Sequence, residues 1–554
     1  MTSTVILGLW LRSRGYLFST ISLWLDEAAW ARFLLEQPLI KHVFRPIGFM
    51  WVTKALTDVF SPSETVLRFL PWSAGIATTL MAPFLARRLF RSEAARLLFV
   101  AILVLDPAGI DLSKEFKPYA VSIALHTGIL LLALRYDQTR QVRDLAFLFA
   151  LVLPAPLFAQ DAVFAYPGVF LLVAIEALRE RRYRHLAAAA AVATVAVALL
   201  GACYYFMWRH IPKTDDDYWG RKYDVFYIDA PKAAQLGGEL SGHHEGPLTQ
   251  ADWIAGRYAE LAKLPGERRI LWTSRRMKEW GLQELKSVDG LVWAVLNFAG
   301  ITLIASRRLW RDGLLLVLPL ATMALLNLLG FWPFGPFRAN AFAVLYLAGI
   351  ASVVFDRNAL KTRLADLLPA AALVFLPLFT FERGWHRQKE MNSVVAPSDF
   401  ATVVKELVNL QGAGYTGPRQ MVIADNWSCD PWRYYTKYNP RIKSIVGHDI
   451  KRRFGLLCRK DVSAVLRSVR AQIRKGRKAW IIASNDNTIE MLERDWPDDL
   501  EKAQLVHVEG GTHLVVGVKG APPKPERPPP PPVQEEPTTE SEESGSGDST
   551  LSSP

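Results

Sequence analysis

Cysteine is nearly absent from this 554-residue chain, and three residues cannot build a disulfide scaffold or a four-ligand zinc site. Charge is also scarce: Asp, Glu, Lys and Arg make up 21% while 51% of residues are hydrophobic, which excludes a disordered protein and fits a water-soluble enzyme poorly. No internal repeat of about 20–50 residues is present, which removes solenoids and propellers. The charge that remains leans positive, 65 Lys+Arg against 53 Asp+Glu, for a net +12. A nucleic-acid binder gathers such residues on one arm or face. Here they form short clusters between apolar blocks, so no nucleic-acid partner is expected.

What is present in quantity is apolar block. Nearly uncharged stretches fall at 65–86, 97–112, 118–134, 145–160, 162–175, 186–207, 291–306, 313–332, 339–355 and 367–381. They match the ~20 residues needed to cross a hydrocarbon core, so a polytopic helical bundle of the membrane is expected, with about eleven spans. Prolines 154 and 156 and Asp161 interrupt 145–175, which is taken as two spans. Residues 1–11 are apolar but meet Arg12 and Arg14 at once. They count as a first span, either truncated by a misplaced start or tolerating arginines at its outer end, and no cleavable signal is visible. The clusters Arg87/Arg88/Arg91/Arg96, Arg135/Arg140/Arg143, Arg179–Arg184, Arg307/Arg308/Arg311 and Arg357/Lys361/Arg363 all fall on one side if each block spans once. That side is then the cytoplasm. Residues 22–64, 106–117, 209–288, 332–338 and everything after 382 fall outside it.

This divides the chain into a membrane part (1–382), an extracytoplasmic α/β domain (383–520) and a disordered Pro-rich, then acidic tail (521–554). In the second part, Ser398-Asp399 can cap a helix to about Leu410. QMVIAD (420–425) and KAWIIAS (478–484) read as buried strands with a helix at 461–475 between them, and 503–518 reads as a hairpin around Gly510-Gly511. Cys429 and Cys458 lie in this domain, and a disulfide and two free thiols are both compatible with the sequence.

Two outer loops carry chemistry. SLWLDEAAWARFLL (22–35) sets Asp26 and Glu27 side by side between Trp24 and Trp30, at the level where aromatics favour the membrane interface. DPAGIDLSKEFKPYAVSIAL (106–125) sets Glu115 and Lys117 directly before Pro118. Each alone is equally an acidic or capped helix start. Together, LWLDEA, then Arg68 heading the next span, then Pro107, Ser113, Glu115, Lys117, Pro118 and Tyr119, resemble the pattern of GT-C glycosyltransferases. More closely, the pattern resembles the family 39 and RgtA-like branch, which includes protein O-mannosyltransferases and the aminoarabinose transferase of lipid A. The resemblance covers roughly 5–355; its details are strongest at 22–135 and return at 332–349, where Arg338 precedes a span.

That resemblance implies a general base at Asp26, with Glu27 orienting acceptor or loop and Glu115 as a third catalytic carboxylate. It implies donor-phosphate contacts from Arg68, Lys117, Arg338 and Arg45, and substrate contacts from Tyr119 and His42. Lys117 stands where the family favours arginine, which keeps the charge but loses the planar fork. HVFRPIGFMW (42–51) is similar to a metal-assisting E-K-P-P loop, with Arg45-Pro46 at K-P but Phe44 in place of the glutamate, so no divalent metal is supported. The implied activity is inverting transfer of a sugar from a polyprenyl-phosphate donor to a lipid, glycan or protein acceptor outside the inner membrane.

Rival readings are a transporter or flippase of a lipid-linked glycan, disfavoured because few charges lie mid-span, and a non-catalytic scaffold. Asp215–Asp217 and His243-His244-Glu245 have no ligand spacing that closes a metal site. YWGRKYDVF (218–226) is an aromatic lip over the acceptor groove or a packed amphipathic segment. Asn426, Trp427 and Asp430 follow the first strand, where α/β sheets often bind ligands, but no phosphate loop accompanies them.

Overall fold

The computed structural model describes residues 1–17, 23, 25–38, 45–206, 261, 283–329, 332, 338–356, 400–411, 419–440, 442, 453–459, 461–483, 491–492, 494–507 and 514–520. The expected span at 367–381, the tail at 521–554, the hairpin tip and the metal-capable and aromatic segments of the large loop lie outside them. The chain is mostly helical. It opens with α1 (Thr2–Leu17), α2 (Leu25–Glu36), α3 (Ile47–Phe60), α4 (Glu64–Leu67), α5 (Phe69–Leu89), α6 (Glu93–Leu105) and α7 (Pro107–Leu112). There follow α8 (Tyr119–Thr139), α9 (Val142–Val152), α10 (Ala155–Phe158), α11 (Tyr166–Arg179), α12 (Tyr183–Phe206), α13 (Gln283–Ser306), α14 (Trp310–Leu328) and α15 (Ala343–Val353).

Among the described residues, five helical segments are long and apolar enough to cross a bilayer: Phe69–Leu89, Tyr119–Thr139, Gln160–Arg179, Tyr183–Cys203 and Trp310–Leu328. Other apolar blocks are broken within their length. In 97–112, Asp106 accepts from the Gly109 N–H at 2.8 Å and a new short helix starts at Pro107. In 145–160, the helix stops before Pro154 and the chain turns at Ala159 into a 3-10 turn, Gln160–Ala165.

The arginines of α1 are explained by where they point. Arg12 turns inward, 2% exposed, and donates to the carbonyls of Val104 at 2.6 Å and Gly8 at 3.3 Å, near Asp106. It thereby satisfies a carbonyl that the end of α6 would leave unpaired. Gly75 on α5 makes room for it, since an added Cβ would strike Ser113 and crowd the Arg12 side chain. Likewise α13 meets α15 at Gly300, where a Cβ would run into the Ile350 carbonyl.

Deep in the bundle, Asp161 accepts from the Ser122 hydroxyl, and His126 Nδ1 lies 2.6 Å from the Tyr346 hydroxyl and stacks on Phe342. Asp161 and His126 are buried ionisable residues within spans, more than the sequence suggested. His126 Nε2 lies 4.0 Å from Asp161 Oδ2, and each is hydrogen-bonded to a neighbouring side chain.

At one end of the bundle the arginine clusters meet. Arg140 ends α8 in a left-handed conformation (φ 55°) and pairs with Asp137 at 2.9 Å, Glu180 at 3.0 Å and Glu176. Arg311 reaches Asp137 at 3.1 Å, and Arg182 donates to the Arg140 carbonyl at 2.6 Å. The ends of α8 and α11 and the starts of α12 and α14 are therefore on the same side.

The C-terminal region comprises α16 (Phe400–Gln411), β1 (Gln420–Asp425), α17 (Asn426–Lys437), β2 (Phe454–Arg459), α18 (Val462–Ile473), β3 (Ala479–Ala483), β4 (Leu500–His507) and β5 (Leu514–Gly520). The sheet order is β2-β1-β3-β5-β4, parallel among the first three strands and antiparallel thereafter. Strand β2 was not anticipated: FGLLCR is short, lacks alternation and lies at the edge of the sheet, paired with β1. Cys429 on α17 is bonded to Cys458 on β2, across 29 residues of sequence. Closing a loop of that length stabilises the fold by roughly 3–4 kcal/mol in the chain-entropy account.

Candidate active site

The adjacent carboxylates of α2 part company because successive helical residues point about 100° apart. Glu27 faces inward, 1% exposed. Its Oε1 accepts from Arg68 Nε at 2.9 Å and its Oε2 from an Arg68 terminal nitrogen at 2.5 Å, and the Phe116 N–H also donates to it. One buried carboxylate thus fastens α2 to the head of α5 and to the loop before α8. Burial disfavours the Arg68 charge, but Glu27 outweighs it and the guanidinium pKa is raised.

Asp26 faces the other way, with its side chain 46% exposed. Its Oδ2 lies 2.8 Å from Lys117 Nζ, whose side chain is 3% exposed and sits 3.9 Å from the centre of the Trp30 ring. Burial lowers the Lys117 pKa to about 8, although Asp26 works in the opposite direction. The compact ammonium fills the gap between ring and carboxylate, where a flat guanidinium has a different shape.

Arg45 completes the group. It lies over Phe33 at 4.3 Å and Trp30 at 5.0 Å, and burial lowers its pKa to about 10. Its Nε has no hydrogen-bond partner among the described residues, and it forms no ion pair among them. Trp30, Phe49 and Phe116 pack as an aromatic floor, with centroids 5.6–6.3 Å apart. The result is one carboxylate and two cations, one of them without an ion pair among the described residues, around a single indole.

The other face of α2 is covered by α17. Leu23 N–H donates to the Tyr435 hydroxyl at 2.6 Å, and Arg32 Nε lies 3.0 Å from Asp430. Lys437 and the Tyr438 hydroxyl both meet Glu36, at 2.8 and 3.1 Å. The Tyr434 hydroxyl donates to the Pro62 carbonyl at 2.8 Å, and Asn439 donates to Glu64 at 2.7 Å. These positioning residues were missed in the sequence. The available signal was the aromatic run WRYYTKY at 432–438, too rich in rings for a solvated helix.

The remaining candidates separate. Glu115 is half-buried beside this group and raises the proton affinity of Lys117. Tyr119 packs against the core of the helical bundle. Arg338 begins a 3-10 turn whose Asn340 accepts from Trp332 at 2.8 Å, while its side chain lies outside what is described. His42, Phe44 and Trp24 are likewise outside, as are the side chains of Asn426 and Trp427. Among the described residues no group of three or more His, Cys, Asp or Glu is placed to hold a metal ion.

A family model described as dolichyl-phosphate-mannose-protein mannosyltransferase matches residues 44–208, the stretch that carries Arg45, Arg68, Glu115, Lys117 and Tyr119. The fold is similar to apo ArnT from Cupriavidus metallidurans, at a TM-score of 0.51 and 12% identity over 93% of this chain and 97% of that one. The chain has an ArnT-like fold of the GT-C type. ArnT from the same organism bound to undecaprenyl phosphate matches at TM-score 0.49, with 12% identity over 93% and 97% of the two chains. The Archaeoglobus fulgidus oligosaccharyltransferase, tethered with an acceptor peptide, matches at 0.43, with 12% identity over 88% and 69%. No curated protein sequence matches this chain. Glu27 joins α2 to the loop before α8, within the ArnT-like fold.

Proposed function

We propose that this protein transfers a sugar, with inversion, from a polyprenyl-phosphate donor to an acceptor on the extracytoplasmic side of the inner membrane. The observation that carries this reading is the Asp26–Lys117–Arg45 group around Trp30. In the reaction, Asp26 takes the proton of the acceptor hydroxyl as its oxygen bonds to the anomeric carbon. The bond from that carbon to the phosphate oxygen breaks, and the polyprenyl phosphate leaves with the electron pair. Lys117 and Arg45 stabilise its growing charge. Arg68, committed to Glu27, positions the loop, and Glu27 does the same from its side. Without substrate Lys117 is paired with Asp26, so a donor phosphate that draws the ammonium away also frees the base.

The outward location rests on the arginine clusters gathered at one end of the bundle and on the Cys429–Cys458 bond, which suits an oxidising compartment. On this reading 1–382 is the catalytic membrane unit, 383–520 an outer domain and 521–554 a tail. Deleting the gene should leave the loaded lipid-linked donor accumulating outside and the acceptor lighter by one sugar, read by mass spectrometry of lipid and glycan fractions. Unchanged glycan masses would overturn the reading, and donor held on the cytoplasmic leaflet would favour a flippase.

Lys117 also gives a pH signature. Its folded pKa of about 8 lies below the ordinary 10.5, so above pH 8 the site loses a cation and kcat/KM should fall. Stability moves the other way. Between about 8 and 10.5 the unfolded chain holds the extra proton, so this group makes the fold more stable as pH rises through that window. Destabilisation through Lys117 therefore does not account for the loss. Lys117→Arg should shift the falling limb beyond pH 10, and a wild-type profile flat to that pH would remove Lys117 from the phosphate site.

A further inference from the structure

The helix that clamps α2 carries a second pocket. Arg433 and Lys437 are four residues apart on α17, with Trp432 and Thr436 beside them. Arg419, just before β1, and Phe454, the first residue of edge strand β2, complete the lining of a cavity of about 150 Å³. Trp432 and Phe454 meet edge to face at 6.0 Å, and Arg419 donates to the Phe454 carbonyl at 3.2 Å. Lys437 is met by Glu36, but neither Arg419 nor Arg433 forms an ion pair among the described residues. The near carboxylate, Asp430, is engaged by Arg32. An excess of cations thus surrounds two aromatic rings.

Guanidinium forks suit a phosphate or carboxylate, and aromatic faces suit the C–H face of a sugar ring. The volume is well below the ~300–1,000 Å³ of pockets that hold larger ligands, so there is room for a single unit. Position adds a constraint. Lys437 contacts α2 at Glu36, ten residues beyond Asp26, which is about 15 Å along a helix. A ligand filling the pocket cannot also present its hydroxyl to Asp26 from the same ring. We propose that this pocket holds an anionic sugar, phosphorylated or uronic, belonging to the acceptor, and that the acceptor is a glycan of several units whose reacting hydroxyl lies on a different one. The assignment to the acceptor rests on the glycosyl-transfer reading, whereas the ligand chemistry does not.

The test uses the full-length protein in detergent with glucose 6-phosphate, glucuronate and uncharged glucose as probes, followed by saturation-transfer NMR. Both anionic sugars should bind about tenfold more tightly than glucose and weaken with added salt. Arg433→Glu, and the milder Arg433→Gln, should weaken them about tenfold, and Arg433→Gln should leave the melting temperature nearly unchanged, since Arg433 forms no ion pair among the described residues and acts on Asp430 only through space. Asp26→Asn should leave this binding intact. In transfer assays Arg433→Gln should raise the acceptor KM and leave kcat nearly unchanged. Equal binding of glucose, or indifference to Arg433, overturns the proposal. Phosphatidylglycerol vesicles bound through Arg433, with no sugar bound, would assign the pocket to a lipid headgroup and overturn it as well. Sugar binding that persists while Asp26→Asn retains full transfer would sink the catalytic reading and its acceptor assignment, but not the anionic-sugar site.

Discussion

Asp26→Asn is expected to cut sugar transfer by about 10²–10⁴-fold, the usual worth of a positioned general base, while the protein still inserts and accumulates normally. The substitution keeps the shape of the side chain and removes only its capacity to take a proton. Its structural cost is small because Asp26 is 46% exposed and its partner Lys117 can relieve its own burial by shedding a proton. Asp26→Glu retains a carboxylate displaced by one methylene and should fall between the two. Mass spectrometry of glycans from membranes carrying each variant reads the result. Full transfer by the Asn variant would end the assignment of Asp26 as base.

The largest expected loss of stability comes from the neighbouring residue. Glu27→Ala or Arg68→Ala breaks a bidentate pair that is 1% and 11% exposed at the side chain, and either should cost about 3–5 kcal/mol, because each leaves an uncompensated buried charge. Glu27→Ala also strips the Phe116 N–H of its acceptor. The double substitution removes both charges together and should be less harmful than the sum of the two. Thermal melting in detergent measures this, and additive losses would show that the pair is not coupled. Transfer should also fall in the single variants, since the loop bearing Lys117 is held to α2 through this carboxylate.

These neighbours show how far the sequence could be read. The pairing of an acidic first loop with a cationic loop before a later span was legible, because residue type and order along the chain carry it. Which of the two carboxylates is buried was not, since that depends on what α2 packs against on each side. The substitution of Lys117 for arginine looked like a loss in the sequence. In the fold the indole of Trp30 supplies a surface for that ammonium. Arg45 joins the group through rings at positions 30 and 33, which only the return of the chain at α3 brings to it.

The apolar blocks, the arginine clusters and the strands at 420–425 and 479–483 follow from local composition and periodicity, so the sequence alone determined a membrane bundle with an appended α/β region. Tertiary structure decided everything that depends on contacts between distant segments. It broke two apolar blocks at proline-containing turns, turned Arg12 inward to the end of α6, and laid α17 on α2 from some four hundred residues away. The physical reason is that burial and ion pairing are properties of pairs. A side chain's charge state, orientation and cost are set by partners that its own stretch of sequence does not name.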